Sequence, residues 1–410
     1  MKLMNQPFTG QLGDRLIESL NSPDYHTLNI IVAFAKNSGV LRIKNALERF
    51  RERGGKVNVY VGVDLGGTSY EALTTLLINT DSLHVVHCEK GQTFHTKIYQ
   101  FLGDNKGLIV VGSHNLTGGG LWTNFENSVH IPININEVSE NEREILSELD
   151  NYIGRLMSLN DSLMPIMSQE NIEKLLQNGY IFKEVAERVR LASAKKDGTL
   201  AHLFGNSVPA PLPRINMLQG KDKPAAATVA SQESVSVPRS DDGQTIWFET
   251  GRMTGGSRNI LDLSKKSLIE RGDPSGTPFD LGDTKFMRGG VEFFGLDPVA
   301  TALSKNITLN FEGVDYFKNT ILFPGGDNAN GTWRLQIKGT SVSGRKITDV
   351  FREKEESEYL VRKIITFTKI QDDYFFMSVF SGSELQNFIA ASRILARNGS
   401  TTNARQLGLL

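Results

Sequence analysis

Residues 94–115 read FHTKIYQFLGDNKGLIVVGSHN, two strand-like runs joined by the turn residues Gly-Asp-Asn-Lys. This pattern predicts a β-hairpin. Residues two positions apart on a strand share a face, so His95 and Lys97 project together from the first strand. Ser113 and Asn115 project together from the second strand for the same reason. The hairpin therefore carries two polar pairs whose relative position depends on how its strands are paired.

The register of the hairpin decides whether the two pairs meet. A turn centred on Asn105 pairs residues whose numbers sum to 210, which places His95 opposite Asn115 and Lys97 opposite Ser113. A slip of one residue would send the pairs to opposite faces of the sheet. We expect the register that brings all four side chains together.

These four side chains have a coherent chemistry. An imidazole can act as a nucleophile, an ammonium and an amide can bind phosphate oxygens, and a hydroxyl is a further donor. Glu126, on the next predicted strand, is expected to hold the histidine in the correct tautomer. His114 points to the opposite face and is expected to be structural, and the glycines at 118–120 form either a simple turn or a cradle of N–H groups for an anion. The set predicts a phosphodiester site with no metal and no cofactor.

The surrounding sequence predicts an α/β domain. Residues 28–35 and 56–63 are continuous apolar runs typical of buried strands, and the stretch between them has helical spacing. A third run at 82–87 follows a short helix that starts near Ser69, which makes a βαβαβ beginning and indicates a largely parallel sheet. Another strand is expected at 126–133, followed by charged stretches with helical spacing.

The second half of the chain has a different pattern. Residues 194–243 are rich in Ala, Pro and Ser and predict a linker. Residues 244–410 contain short β-rich runs separated by Gly, Asn and Asp, which predicts an antiparallel barrel or sandwich with one helix at 384–396. The run VEFFGL at 291–296 is expected to be one of these strands, and the tail NGSTTNARQLGLL at 398–410 is expected to be loose.

Composition limits the possible functions. The chain has 45 Lys and Arg residues against 46 Asp and Glu residues, a net charge of −1, so any nucleic-acid surface must be a local patch. Its single cysteine, Cys88, excludes an internal disulfide and a thiolate zinc site. No apolar run is long enough for a membrane helix, and the N-terminus lacks the apolar core of a signal peptide. We therefore expect a cytoplasmic protein with no membrane partner.

The pattern His95-Thr96-Lys97, followed by Gly112-Ser113-His114-Asn115 and then Glu126, resembles the H-x-K and G-S-x-N motif of the phospholipase D superfamily. The family motif has an Asp five residues after the Lys, where this chain has Leu102. That departure is tolerated among the superfamily's nucleases. The motif is followed by a β-rich C-terminal half, and the whole layout resembles metal-independent restriction endonucleases of the BfiI type.

The stretch WFETGRMTGGSRNILDL at 247–263 is similar to the opening of the B3-like DNA-binding domains of those enzymes. The resemblance implies three parts. Residues 1–193 would form a phospholipase D-like nuclease and dimerisation domain, with a mixed sheet and helices on both faces. Residues 194–243 would be the linker, and residues 244–410 an all-β, B3-like pseudobarrel that recognises DNA.

The resemblance also implies a reaction and partners. Phospholipase D chemistry uses two histidines, whereas this chain has one H-x-K, so two chains would share one site in a homodimer. The expected function is site-specific cleavage of double-stranded DNA through a phosphohistidine. Some relatives act with a separate helicase-like ATPase subunit, which makes such a partner possible here. The alternatives are a lipid phosphodiesterase of the same superfamily and a non-enzymatic DNA-binding protein on the same scaffold.

The B3-like resemblance places two DNA-gripping arms in the second half. Arg and Asn side chains suit the edges of guanine and adenine. The candidate DNA-binding residues are Arg252, Ser257, Arg258 and Asn259 in the first arm, and Asp327, Asn328, Asn330, Trp333 and Arg334 in the second.

Overall fold

The computed structural model of the protein describes residues 1–159, 161–194, 212–215, 244–253, 258–325, 331–355 and 358–410. The described residues divide into two compact units, one formed by residues within 1–184 together with 212–215, and the other by residues 185–194 together with those within 244–410. Most of the expected linker lies outside the described residues.

A mixed sheet with helices on both faces forms the first unit. Its elements in chain order are β1 (Lys2–Gln6), α1 (Leu12–Asn21), β2 (Thr27–Val32), α2 (Asn37–Glu52), β3 (Lys56–Gly62), α3 (Tyr70–Asn79), β4 (Ser82–Val86), β5 (Lys97–Leu102), β6 (Lys106–Gly112), β7 (Glu126–Asn134), α4 (Glu140–Met157), β8 (Leu163–Pro165) and α5 (Gln169–Gln177). The strand order is β1-β7-β6-β5-β2-β3-β4-β8. The predicted βαβαβ beginning corresponds to β2 through β4, whereas β1 and α1 were not predicted.

The sheet has two hydrophobic faces because its central strands are buried on both sides. Leu28 and Val59 belong to the cluster that includes residues of α1, α2 and α3. Ile31 and Tyr60 belong to the cluster that includes Leu149 of α4. Successive residues of β2 and β3 face opposite sides of the sheet, and both sides are buried, so the sequence of each strand is apolar along most of its length. This pattern allowed both strands to be located from sequence.

The strand directions bring several chain segments to one edge of this sheet. Strands β2, β3 and β4 are parallel and end at this edge. Strand β5 is antiparallel to β2 and begins there, with Lys97 paired to Val32. Strand β6 ends at the same edge with Gly112, which pairs with Ser128 near the start of β7. We call this edge the site edge.

An eleven-stranded sheet dominates the second unit. Its elements are α6 (Glu184–Ala194, from Val185 onward), β9 (Thr245–Glu249), β10 (Ile260–Leu263), β11 (Lys266–Arg271), β12 (Phe286–Arg288), β13 (Ser304–Phe311), β14 (Val314–Leu322), β15 (Trp333–Gln336), α7 (Ile347–Glu355), β16 (Lys363–Gln371), β17 (Tyr374–Ser381), α8 (Leu385–Ala391), β18 (Ile394–Arg397) and β19 (Gln406–Leu409). The strand order is β10-β15-β14-β13-β17-β16-β9-β19-β18-β11-β12. Strands β13 and β17 are parallel to each other, so the sheet is not purely antiparallel.

Helices also contribute to the second unit. Val185 and Val189 of α6 belong to a buried cluster with Trp247 and Phe388. The last of the charged stretches with helical spacing forms two helices, α5 and α6, rather than one. Gly179 lies between them in the left-handed conformation, with a φ of 76°. Among the described residues, no helix has the length and apolarity needed to cross a membrane.

Two predictions for the second unit were wrong. Residues 290–294 form a 3-10 helix rather than a strand, and Gly295 follows them in the left-handed conformation with φ 74°. The tail contains β19, which pairs with both β9 and β18. Leu407 and Leu409 are buried, and a side chain at Gly408 would lie 2.5 Å from the Trp247 indole nitrogen. The alternation of buried leucines was a strand signal within a segment otherwise rich in turn residues.

Candidate active site

The hairpin register differs by one residue from the predicted one. Ile98 pairs with Val111, so paired residues sum to 209, and Lys97 lies opposite Gly112 rather than Ser113. The polar residues still gather because β5 begins only at Lys97 and β6 ends at Gly112. His95, Ser113 and Asn115 lie in the connecting segments, where strict alternation of faces no longer applies. The cluster thus forms at the ends of the strands.

His95 and Lys97 are in direct contact. The Lys97 Nζ lies 2.8 Å from His95 Nδ1 and 2.9 Å from the His95 carbonyl oxygen. An ammonium has no lone pair, so it donates to Nδ1, and a neutral imidazole then carries its proton on Nε2. His95 is exposed, whereas Lys97 is buried. Burial lowers the pKa of the Lys97 ammonium, and the negative charge of Glu126 acts in the opposite direction.

Phe34 links Asn115 to His95, a role that was not predicted from sequence. Its backbone N–H donates to Asn115 Oδ1 at 3.2 Å, which orients the amide. Its ring meets the His95 imidazole edge to face, with centroids 6.0 Å apart. Gly67 leaves room for this ring, since a Cβ there would lie 2.1 Å from it. The only sequence signal for Phe34 was its position directly after a strand that ends at the site edge.

Ser113 and Glu126 form a hydrogen-bonded pair. The Ser113 hydroxyl donates to Glu126 Oε2 and accepts the Asn127 N–H at 3.1 Å. Asn124 donates to the other Glu126 oxygen at 3.2 Å. The expected contact between Glu126 and the His95 imidazole is not made within this chain; the carboxylate orients Ser113 instead. With its proton on Glu126, Ser113 has none to donate to a phosphate.

His114 is buried and takes part in a chain of hydrogen bonds between uncharged groups. Its Nδ1 lies 2.7 Å from the Gly120 carbonyl oxygen and its Nε2 lies 3.0 Å from Ser128 Oγ. The Ser128 hydroxyl is in turn 3.1 Å from His130 Nε2. Burial lowers the pKa of both histidines, which favours their neutral forms. His114 therefore pins the G-S-x-N segment to β7 and to the glycine run.

The glycine run leads into a π-helical segment, Gly119–Thr123, and its N–H groups are used in part within the chain. The Gly118 N–H donates to Ser38 Oγ at 3.1 Å, and the Gly120 N–H donates to Thr117 Oγ1 at 2.9 Å. A side chain at Gly120 would lie 2.4 Å from the Asn115 carbonyl oxygen. Two backbone N–H donors of the glycine run, those of Gly118 and Gly120, are thus occupied. The lack of a side chain at Gly120 allows it to pack closely against Asn115.

The structure accounts for only part of the predicted DNA-binding set. Trp333 is buried, and its indole N–H donates to the Pro298 carbonyl at 3.0 Å, so its assignment as a DNA contact was wrong. Asn259 donates to the Ile337 carbonyl and helps to hold β15.

The other described candidates are Arg252, Arg258 and Arg334. Arg252 is exposed and Arg258 is half-buried. The Arg334 guanidinium lies 3.7 Å from an Asp262 carboxylate oxygen. Ser257, Asp327, Asn328 and Asn330 lie outside the described residues.

Within the described ranges, no group of three or more His, Cys, Asp or Glu residues is arranged to hold a metal ion. No protein-family model matches the chain, and no curated protein matches its sequence.

Comparison with solved structures finds distant likenesses over less than half of the chain. Nuc from Salmonella typhimurium, a phospholipase D family member, is 18% identical with a TM-score of 0.30, covering 41% of this chain and 97% of that chain. NucT from Helicobacter pylori is 18% identical with a TM-score of 0.26, covering 38% and 95%. A phosphatidylserine synthase from Haemophilus influenzae is 13% identical with a TM-score of 0.28, covering 40% and 41%. Likeness at this level does not assign an activity.

Proposed function

We propose that this protein is a site-specific DNA endonuclease that cleaves phosphodiester bonds without a metal ion, through a phosphohistidine formed at a dimer interface. The observation that carries the proposal is the grouping of His95, Lys97 and Asn115 at one sheet edge. They supply a nucleophile, a cation and an amide, which are the groups that attack on a phosphodiester requires.

The contact between Lys97 and His95 suits a site that is completed by its substrate. In the free chain the ammonium donates to Nδ1, which leaves the proton of the neutral imidazole on Nε2, so that nitrogen has no lone pair for attack. A phosphate oxygen that binds Lys97 draws the ammonium away from Nδ1. The imidazole can then carry its proton on Nδ1 and present the lone pair of Nε2 to phosphorus. Movement of Lys97 onto the phosphate thus frees His95 to act as the nucleophile.

Two copies of His95 share the reaction in this proposal. Nε2 of one His95 attacks phosphorus, a P–N bond forms, and the P–O bond to the leaving oxygen breaks. His95 of the partner subunit, which enters this step as an imidazolium with a proton on each ring nitrogen, gives its Nε2 proton to that oxygen and becomes neutral. Water then attacks phosphorus, the P–N bond breaks, and the partner's His95 takes the proton from the water. The product is a phosphate monoester end, and both imidazoles return to their starting states.

Exposed apolar side chains at the site edge support association with a second copy. Phe8 and Phe125 stack with ring centroids 5.6 Å apart while remaining 78% and 75% exposed. Phe125 directly precedes Glu126, and the apolar side chains of Leu3 and Val111 are exposed nearby on β1 and β6. Apolar surface of this kind beside a site is typical of an interaction surface.

The shared site predicts a dominant effect of an inactive subunit. Wild-type protein co-refolded with a ninefold excess of His95→Ala should cleave DNA about tenfold more slowly than the same amount of wild type alone, since most wild-type subunits acquire an inactive partner. Co-refolding with a ninefold excess of wild-type-like His26→Ala serves as the control. Unchanged activity in the His95→Ala mixture would show that each chain has a complete site.

DNA recognition is assigned to the second unit, which we regard as B3-like. The exposed Arg252 is the described candidate best placed to reach a base edge. A lipid phosphodiesterase would use the same His95 chemistry, but no feature of the described residues favours it. A DNA-binding protein without catalysis would not need the His95–Lys97 contact.

The function can be tested on a methylation-free plasmid. We expect cleavage at defined positions in the presence of EDTA, and mapping of the ends gives the recognition sequence. Parallel reactions with ATP test for dependence on a helicase-like ATPase subunit. Cleavage that requires a metal ion, or release of the head-group alcohol from a phospholipid with no action on DNA, would refute the proposal.

A further inference from the structure

We propose that Asp64 is a positioning residue that fixes the chain segment carrying His95. The inference rests on the proposed function, in which the His95 imidazole must face a phosphodiester. Asp64 lies just beyond the end of β3, at the site edge, and its side chain is 10% exposed. It was not singled out by any motif in the sequence.

Both carboxylate oxygens of Asp64 are used. Oδ2 accepts the backbone N–H of Phe94, the residue before His95, at 2.8 Å. Oδ1 lies 2.7 Å from His87 Nδ1, and His87 marks the start of the same segment. The ten residues from His87 to Thr96 connect β4 to β5 without forming a helix or strand. Asp64 therefore ties the two ends of an irregular segment to one point.

The neighbouring backbone is shaped for this contact. Leu65 has φ 56°, a left-handed conformation that is unfavourable for a leucine, and its side chain is 85% exposed. Packing of the leucine side chain does not explain the conformation. At the end of β3, a side chain at Gly62 would come within 2.7 Å of the Ala33 carbonyl oxygen and 3.2 Å of the Phe94 carbonyl oxygen. The lack of a side chain at Gly62 thus permits the close approach of Phe94 to β3.

Other contacts also hold the segment. Lys97 contacts the His95 ring and carbonyl oxygen directly, as described for the site. Thr96 shares a hydrogen bond of 2.6 Å with Tyr152 of α4, and Tyr180 donates to Glu89 at the start of the segment. Asp64 is the side chain that accepts the N–H of the residue directly before His95, so its loss should move that imidazole.

The test compares Asp64→Ala with Asp81→Ala. Asp81 is a matched control because its carboxylate also accepts a backbone N–H, that of Val57, and also contacts a nitrogen of a second side chain, Arg51. It lies at the opposite edge of the sheet, where β3 and β4 begin. We expect Asp64→Ala to lower kcat about 10- to 100-fold with KM for DNA within about twofold of wild type, since small misplacement of a reacting group is costly. Asp81→Ala should leave both constants within about twofold.

A second readout does not depend on nuclease activity. The NMR resonances of the His95 ring can be assigned by their loss in His95→Gln. They should shift in Asp64→Ala and stay in place in Asp81→Ala. Asp64→Asn retains an oxygen for the Phe94 N–H and should restore both kcat and the resonances. Should Asp64→Ala fail to fold, Asp64→Ser carries the same expectation, because its hydroxyl lies one bond closer to the backbone than the carboxylate oxygen that accepts the Phe94 N–H. Unshifted His95 resonances in a folded variant overturn the inference, whereas shifted resonances in a protein without nuclease activity support it and refute the proposed function.

Discussion

Replacing His95 with alanine is expected to lower the rate of DNA cleavage by at least about 10⁴-fold, while DNA affinity stays within about twofold of wild type. The imidazole is both the attacking group of one subunit and the proton donor of the other, so one substitution removes both roles from the shared site. The neighbouring His114 cannot replace it, because that imidazole is buried and engaged with Gly120 and Ser128. Plasmid cleavage in EDTA and electrophoretic shift of a DNA duplex measure the two quantities.

His26→Ala is the matched control for this experiment. His26 is an exposed histidine of the same unit whose Nε2 lies 3.3 Å from Asp104, in the turn at the far end of the hairpin. Its removal should leave cleavage within about twofold of wild type. A His95→Ala protein that cleaves DNA at the wild-type rate, or a His26→Ala protein that fails to cleave, would contradict the assignment.

The site edge could be predicted because its signals are local. His95 and Lys97 are two residues apart, and the G-S-x-N segment follows on the next strand, so the hairpin alone brings them near each other. The register was predicted one residue away from the observed one, since the turn between Leu102 and Gly107 does not reveal its pairing. That error did not separate the polar residues because His95, Ser113 and Asn115 lie beyond the paired positions of the hairpin.

Contacts between distant segments could not be predicted in this way. Phe34 and Asp64 follow β2 and β3, and nothing in their local sequence indicates that they contact Asn115 and Phe94. The expectation for Glu126 failed for a related reason. Its strand was located correctly, but whether the carboxylate meets an imidazole or the Ser113 hydroxyl depends on side-chain positions across the end of the sheet.

In the second unit, the types of neighbouring residues did not show which side chains are exposed. Trp333 lies among turn residues that are typical of an exposed loop, yet it is the first residue of β15 and its ring meets Phe323 in the core. A large aromatic side chain next to a glycine-rich turn is as consistent with a core anchor as with a DNA contact. Burial decides between them, and burial depends on which strands pair.

Replacing Lys97 with methionine is expected to lower cleavage by about 10²- to 10³-fold without unfolding the first unit. Methionine has nearly the length of lysine and suits a position that is 8% exposed, so the packing of β5 should persist. The loss has two sources. The phosphate loses a cation, and His95 loses the donor that holds its Nδ1 in the free chain.

Lys106→Met is the control for Lys97→Met, because Lys106 begins β6 on the same hairpin and its ammonium contacts Asp24 at 2.8 Å, far along the strand from the site edge. It should retain activity within about twofold, since an exposed ion pair contributes little. The two sources of loss in Lys97→Met can be separated in single-turnover reactions by comparing formation of the phosphohistidine with its hydrolysis. A missing cation slows both steps, because negative charge on the phosphoryl oxygens must be stabilised in each. If Lys97→Met slows neither step while binding is intact, then Lys97 does not contact the phosphate, and His95 must be activated by another group.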